Sequence, residues 1–133
     1  MSAADAEAMA DYLTKTEGVT YRLPTEAEWR WACRAGANTR YPFGGSPKEL
    51  SWYARYKNNS QGHPGPVGTM RPNAWGLRDM LGNVREWTAD GLGPYPEGVV
   101  ADPRVPQKSN GPRVQCGGTF EGSPEHAGRP LGR

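Results

Sequence analysis

From Asn38 onward, Gly, Pro, Asn or Ser interrupts this chain every few residues, and that punctuation limits its fold more than any other feature. Glycine supplies backbone conformations that turns need and proline cannot donate to a ladder, so neither continues regular structure for long. Any strands in this region must be short. The best candidate lies in "GPRVQCGGTF", Gly111 to Phe120, where Val114 and Cys116 alternate with polar neighbours. With 18 Gly, 13 Pro and 35% hydrophobic residues, the core has to be small. Five Trp and six Tyr offset this in part, because each large ring buries much area. At 133 residues the chain is sized for one domain, with no repeat and no low-complexity linker.

Only the first third carries helical signals. Ser2 followed by Asp5 resembles a weak capping box, and Ala3, Ala6, Met9, Ala10 and Leu13 recur at helical spacing to about Thr14, a thin apolar stripe. A stronger start is Thr25-Glu26-Ala27-Glu28, a capping box just after Pro24, opening a helix that runs to Gly36, a natural stop. In that helix Trp29, Ala32 and Cys33 share one face while Trp31 points elsewhere.

Charge and hydropathy exclude two partner classes. Sixteen Lys and Arg against fourteen Asp and Glu give +2, without the basic block that tracks a phosphate backbone, so nucleic acid is not expected. No apolar run approaches the roughly 20 residues of a membrane span. The opening "MSAADAEAMADYL" lacks the basic start and apolar centre of a signal peptide, and localisation stays unknown. Cys33 and Cys116 fit no zinc spacing.

"GLRDMLGNVREW", Gly76 to Trp87, sets carboxylates, glycines and an Asn among Leu77, Met80, Leu81, Val84 and Trp87. By itself this mixture has a bland explanation: Asp79 caps a turn and Glu86 pairs with Arg78 or Arg85. Together with "YRLPTEAEWRWACRAG" (Tyr21 to Gly36), "YPFGG" (Tyr41 to Gly45), "PVGTMRPNAWGLRDMLGNVREWTAD" (Pro66 to Asp90) and "RVQCGGTF" (Arg113 to Phe120), it resembles the formylglycine-generating enzyme, or sulfatase-modifying factor, family in motif and order.

The resemblance spans about Ala4 to Glu125. It implies an α+β, C-type-lectin-like fold of the family's own type, with two short helices, short antiparallel strands and much irregular structure, held partly by calcium. Carried over residue by residue, it implies a calcium site from the side chains of Asp79 and Glu86 and the main-chain carbonyls of Gly82 and Val84. Calcium is a hard cation that takes six to eight oxygens, so interleaved carboxylates and carbonyls suit it. "YKNNSQGHPG", Tyr56 to Gly65, offers Asn58 and Asn59 without a carboxylate, and no second ion is expected there.

Copper is not expected. Family members that make formylglycine hold Cu(I), a soft ion, with two cysteines shortly after the paired glycines. The matching run here, "GGTFEGSPEHAG" from Gly117 to Gly128, has none. Cys33 reads as a small buried hydrophobe. Relative to the family, the single domain over residues 1–133 also looks like a central and later portion, since opening strands would precede Met1 and an Arg-rich strand would follow in place of "HAGRPLGR", His126 to Arg133. Missing strands leave edges that invite a protein or peptide partner or self-association. Three readings stay open: a calcium-stabilised binding or accessory domain; an oxygen-dependent oxidase generating formylglycine on sulfatase cysteines, alone or as half of a split enzyme; and the lectin-like half of an oxygen-dependent sulfur–carbon bond-forming enzyme.

Overall fold

The computed structural model describes residues 1–108 and 111–127, so most of the divergent ending expected over His126 to Arg133 lies outside the described residues. Helix α1 spans Ala3–Glu17, beyond the stretch its apolar stripe predicted, and stops at Gly18 in the left-handed region (φ 69°). Its Ser2–Asp5 capping box is formed in both directions. None of its residues is buried, because the inward stripe is mostly alanine and has little area to remove from water. It is tethered instead by an ion pair from Glu7 to Arg113 at 2.7 Å and by the Tyr21 N–H donating to Thr14 Oγ1 at 2.8 Å.

Helix α2 spans Glu26–Arg34 and starts at the expected Thr25–Glu28 capping box. It ends one residue before the expected glycine: Ala35 takes the left-handed cap (φ 48°) and Gly36 continues it (φ 84°). The Asn73 side-chain amide explains why α2 closes there, donating to the carbonyls of Ala32 at 2.8 Å and Cys33 at 3.2 Å. The inward face carries Trp29 and Cys33, and Trp31 stands out at 68% exposed.

The core gathers Trp29, Cys33, Leu50, Ala54, Tyr56, Leu81, Val114 and Cys116. A stack of Tyr41, Phe43 and Tyr53, with centroids 5.1 and 4.6 Å apart, extends it. Leu50 arrives on an element not expected from sequence, a 3-10 turn over Pro47–Glu49 leading into the short helix α3, Leu50–Tyr53. Its signal is visible in retrospect, since Ser46 caps the turn and Pro47 occupies a first-turn position. A last helical turn, α4, spans Pro124–Ala127.

Strand β1, Glu86–Gly91, pairs antiparallel with β2, Arg113–Cys116, in the register Glu86 to Cys116 and Trp87 to Gln115, with an irregularity before Gly91 meets Arg113. Only β2 was legible beforehand. The buried positions of β1 are Thr88, Asp90 and Gly91, so its inward face carries no apolar period. Thr88 Oγ1 donates to Val114 O at 3.0 Å. The outer side of β1 is partly covered, with the Ala89 N–H donating to Pro24 O at 2.8 Å.

Asp90 is fully buried and accepts from the backbone N–H groups of Glu26 at 2.8 Å and Val105 at 2.7 Å, joining the first turn of α2 to the strap that follows β1. Alanine there strands two donors, so Asp90→Ala should cost about 2–4 kcal/mol in urea unfolding. A loss under about 0.5 kcal/mol contradicts this role for the carboxylate.

Candidate metal centre

Between Asp79 and Glu86 the chain leaves one loop and enters β1, with three residues in the left-handed region: Asp79 (φ 58°), Gly82 (φ 73°) and Asn83 (φ 57°). Asparagine and aspartate tolerate this conformation better than most residues, and glycine does so at no steric cost. Asn83 then locks the loop and is itself 4% exposed. Its N–H donates to Arg55 O at 2.7 Å, its carbonyl accepts from Phe120 N at 2.7 Å, and its side-chain oxygen accepts from Gly65 N at 2.9 Å. The Gly82 N–H donates to Gly117 O at 2.5 Å. Three distant segments, at residues 55, 65 and 117–120, therefore meet on two residues of one loop.

The sequence-derived ligands are distributed as follows. Asp79 Oδ2 accepts from the Gly68 N–H at 2.5 Å, so this residue does cap a turn. Glu86, by contrast, makes no ion pair with Arg78 or Arg85. Arg78 donates to Met70 O at 2.5 Å, and Glu86 Oε2 accepts from the Trp29 indole at 2.6 Å. Among the described residues, neither Asp79 nor Glu86 has a basic partner within ion-pair distance. The Val84 and Met80 carbonyls turn toward Gly117, where a Cβ would stand 3.7 and 3.8 Å from them. Among the described residues, nothing donates to the carbonyls of Gly82 or Val84.

The electrostatics point the same way. Burial pushes the Glu86 carboxyl upward, the Trp29 hydrogen bond opposes the rise, and the negative charge of Asp79 adds to it. A carboxyl whose folded pKa is raised is most favourable to folding when protonated, so without metal its contribution is lost as pH climbs through the glutamate range. Metal-free Glu86→Gln should therefore melt higher than metal-free wild type at pH 7, with the gap closing below about pH 4. A gap unchanged across that range would count against a strained carboxylate.

Oxygen is the donor chemistry on offer. No group of three or more His, Cys, Asp or Glu side chains converges among the described residues, so an ion here has to draw on main-chain oxygens. Cys33 and Cys116 do come into one core cluster, as spacing alone did not suggest. Both are buried, and burial pushes each thiol up to about 12, with Glu86 adding to the rise at Cys33 and Glu26 at Cys116. At neutral pH both are protonated, and a thiol in that form is a poor ligand.

Sequence reasoning missed three residues that build this region: Trp29 as a partner of Glu86, Asn83 as the clamp, and Asn73. Asn73 Oδ1 accepts from Trp75 N at 3.0 Å and Leu77 N at 3.1 Å, which sets Trp75 edge-on to Trp31 with centroids 4.3 Å apart. Asn73 follows a proline and Asn83 follows a glycine, the local signal for turn asparagines. Nothing local signals the 57-residue reach of Trp29. A groove of about 580 Å³ runs beside it, lined by Trp31, Leu77, Met80 and Glu86.

Known proteins share this arrangement of motifs. The family described as sulfatase-modifying factor enzyme 1-like domain matches residues 1–130. The formylglycine-generating enzyme of Streptomyces coelicolor is 37% identical over 113 residues, covering 74% of this chain and 36% of that protein. The hercynine oxygenase of Mycolicibacterium smegmatis is 41% identical over 81 residues, 56% of this chain and 19% of that one. Among solved structures, PvdO from Pseudomonas aeruginosa superposes with a TM-score of 0.80 at 29% identity, covering 98% of this chain and 53% of its own. The chain thus spans about a third of the length of the first of these relatives and about half of PvdO.

Proposed function

This chain belongs to the sulfatase-modifying factor enzyme 1-like domain family, and from that premise we propose that it is a calcium-stabilised member without the copper chemistry, acting as a protein- or peptide-binding accessory domain. One observation carries the reading. Burial and, to a lesser degree, the charge of Asp79 disfavour the ionised form of Glu86, yet neither acid has a basic partner among the described residues. Two such carboxylates in one short run with carbonyls that accept no backbone hydrogen bond suit a hard cation, which takes oxygen from acids and main chain alike. Asp79, Gly82, Val84 and Glu86 would hold it. The bound ion would neutralise the pair and cross-link the loop to β1.

The copper side of the reading rests on the run after Gly117-Gly118, where Thr119, Phe120, Glu121 and Gly122 offer no thiol. The protonated, buried Cys33 and Cys116 do not substitute for one. Similarity to a hercynine oxygenase and to formylglycine-generating enzymes supports a second reading, an oxygen-dependent oxidoreductase acting on sulfatase cysteines or forming sulfur–carbon bonds with a further domain.

Metal selectivity separates the two. Calorimetric titration of the reduced full chain should give one calcium site, lost in the Asp79→Ala/Glu86→Ala variant, and no Cu(I) uptake against a competing chelator. Stoichiometric Cu(I) uptake would overturn the accessory reading in favour of the oxidase.

A further inference from the structure

Resting on the calcium reading, we infer that Trp29 is a positioning residue for the metal site, its indole N–H holding one oxygen of Glu86 so that the carboxylate is oriented before an ion arrives. The indole is 3% exposed, and its Nε1 donates to Glu86 Oε2 at 2.6 Å. Among the described residues this is the only hydrogen bond Glu86 makes through its side chain, and it leaves the second oxygen without a donor.

The same ring closes the neighbouring wall. A Cβ built on Gly117 would stand 3.5 Å from Trp29 Cζ2 and 3.7 Å from the Val84 carbonyl, so one indole touches the turn beside a main-chain ligand while its nitrogen grips a side-chain ligand. Trp29 itself cannot shift freely, because α2 is pinned at its start by Asp90 and at its end by Asn73. The Trp29–Glu86 bond thereby joins helix α2 to the acidic loop, beside a longer contact from the Cys33 thiol to Met80 O at 3.9 Å.

A donor that fixes a ligand carboxylate is worth about 10- to 100-fold in metal affinity. Trp29→Phe keeps a large ring in the core and removes only the N–H and part of the ring area. Calorimetry on the full chain should show calcium Kd rising about 10- to 100-fold in this variant. A packing role alone would lower the melting temperature in EGTA and leave Kd unchanged, so an unchanged Kd overturns the inference. As a second measurement, the Trp29 indole N–H resonance in wild type, identified by its absence from the variant's spectrum or by sequential assignment should the variant not fold, is expected to shift on calcium addition. An indole signal that ignores calcium overturns the inference even where the variant cannot be made. Wild type that binds no calcium removes the metal reading and this inference together; wild type that binds calcium with Trp29→Phe binding equally well removes only the inference.

Discussion

Substituting Gly82 with alanine is expected to cost about 3–4 kcal/mol in urea unfolding. A Cβ at this position would stand 2.1 Å from the carbonyl oxygen of Arg55 and 2.9 Å from its carbonyl carbon, both main-chain atoms that no rotamer change can move. The position also has φ 73°, where an L side chain is strained by about 1–2 kcal/mol. Relief requires the two segments to part, which breaks the bridge between Arg55 and Gly82 and threatens the bonds from Asn83 N to Arg55 O and from Gly82 N to Gly117 O. Each lost hydrogen bond adds about 1 kcal/mol, more where a buried group is stranded. The sum reaches about 3–4 kcal/mol, a large part of the roughly 5–15 kcal/mol that holds a domain. Gly76→Ala is the control: its φ is 84° but nothing lies within 4 Å of the added carbon, so it should cost only the strain. Equal urea midpoints for the two variants would refute the close-approach argument.

EGTA is expected to lower the melting temperature of wild type and leave that of Asp79→Ala/Glu86→Ala unchanged. An ion that binds only the folded form stabilises by RT ln(1 + [L]/Kd), about 2.7 kcal/mol at a hundredfold excess over Kd. For a domain of this length that corresponds to roughly 8–16 °C. The two carboxylates matter differently from ordinary surface acids. Without metal, burial and then the negative charge of Asp79 work against the charged form of Glu86, a cost that a bound ion would offset. Glu86→Gln should accordingly stabilise the apo protein while erasing most of the calcium gain, a reversal of sign that simple loss of packing would not produce. A wild-type melting curve indifferent to EGTA would end the calcium reading.

The helices show what local signals accomplish. Thr25 and Glu28, and Ser2 and Asp5, form the caps their spacing implied, because a capping box is satisfied within four consecutive residues. Trp29 and Cys33 turned inward and Trp31 outward as the helical period required. Strand β1 escaped notice for an equally physical reason: Thr88 and Asp90 face inward, and their polar atoms are satisfied by Val114, Glu26 and Val105, partners far away in sequence. Periodicity cannot detect a buried polar position whose compensation is distant.

The candidate centre divides along the same line. Its acids, its glycine and the family to which they belong were readable from the order of residues alone, since Asp79, Gly82, Val84 and Glu86 sit within one short run. Which partners those residues take was not. That Asp79 caps the turn at Gly68, that Glu86 turns from its neighbouring arginines to the Trp29 indole, and that Asn83 gathers residues 55, 65 and 120 are outcomes of chain packing. Sequence by itself determined helices α1 and α2, the turn-rich character and the family, because caps, periods and motifs are local. Tertiary structure alone decided the pairing of the acids, because a half-buried charge takes whichever donor the folded chain brings within reach.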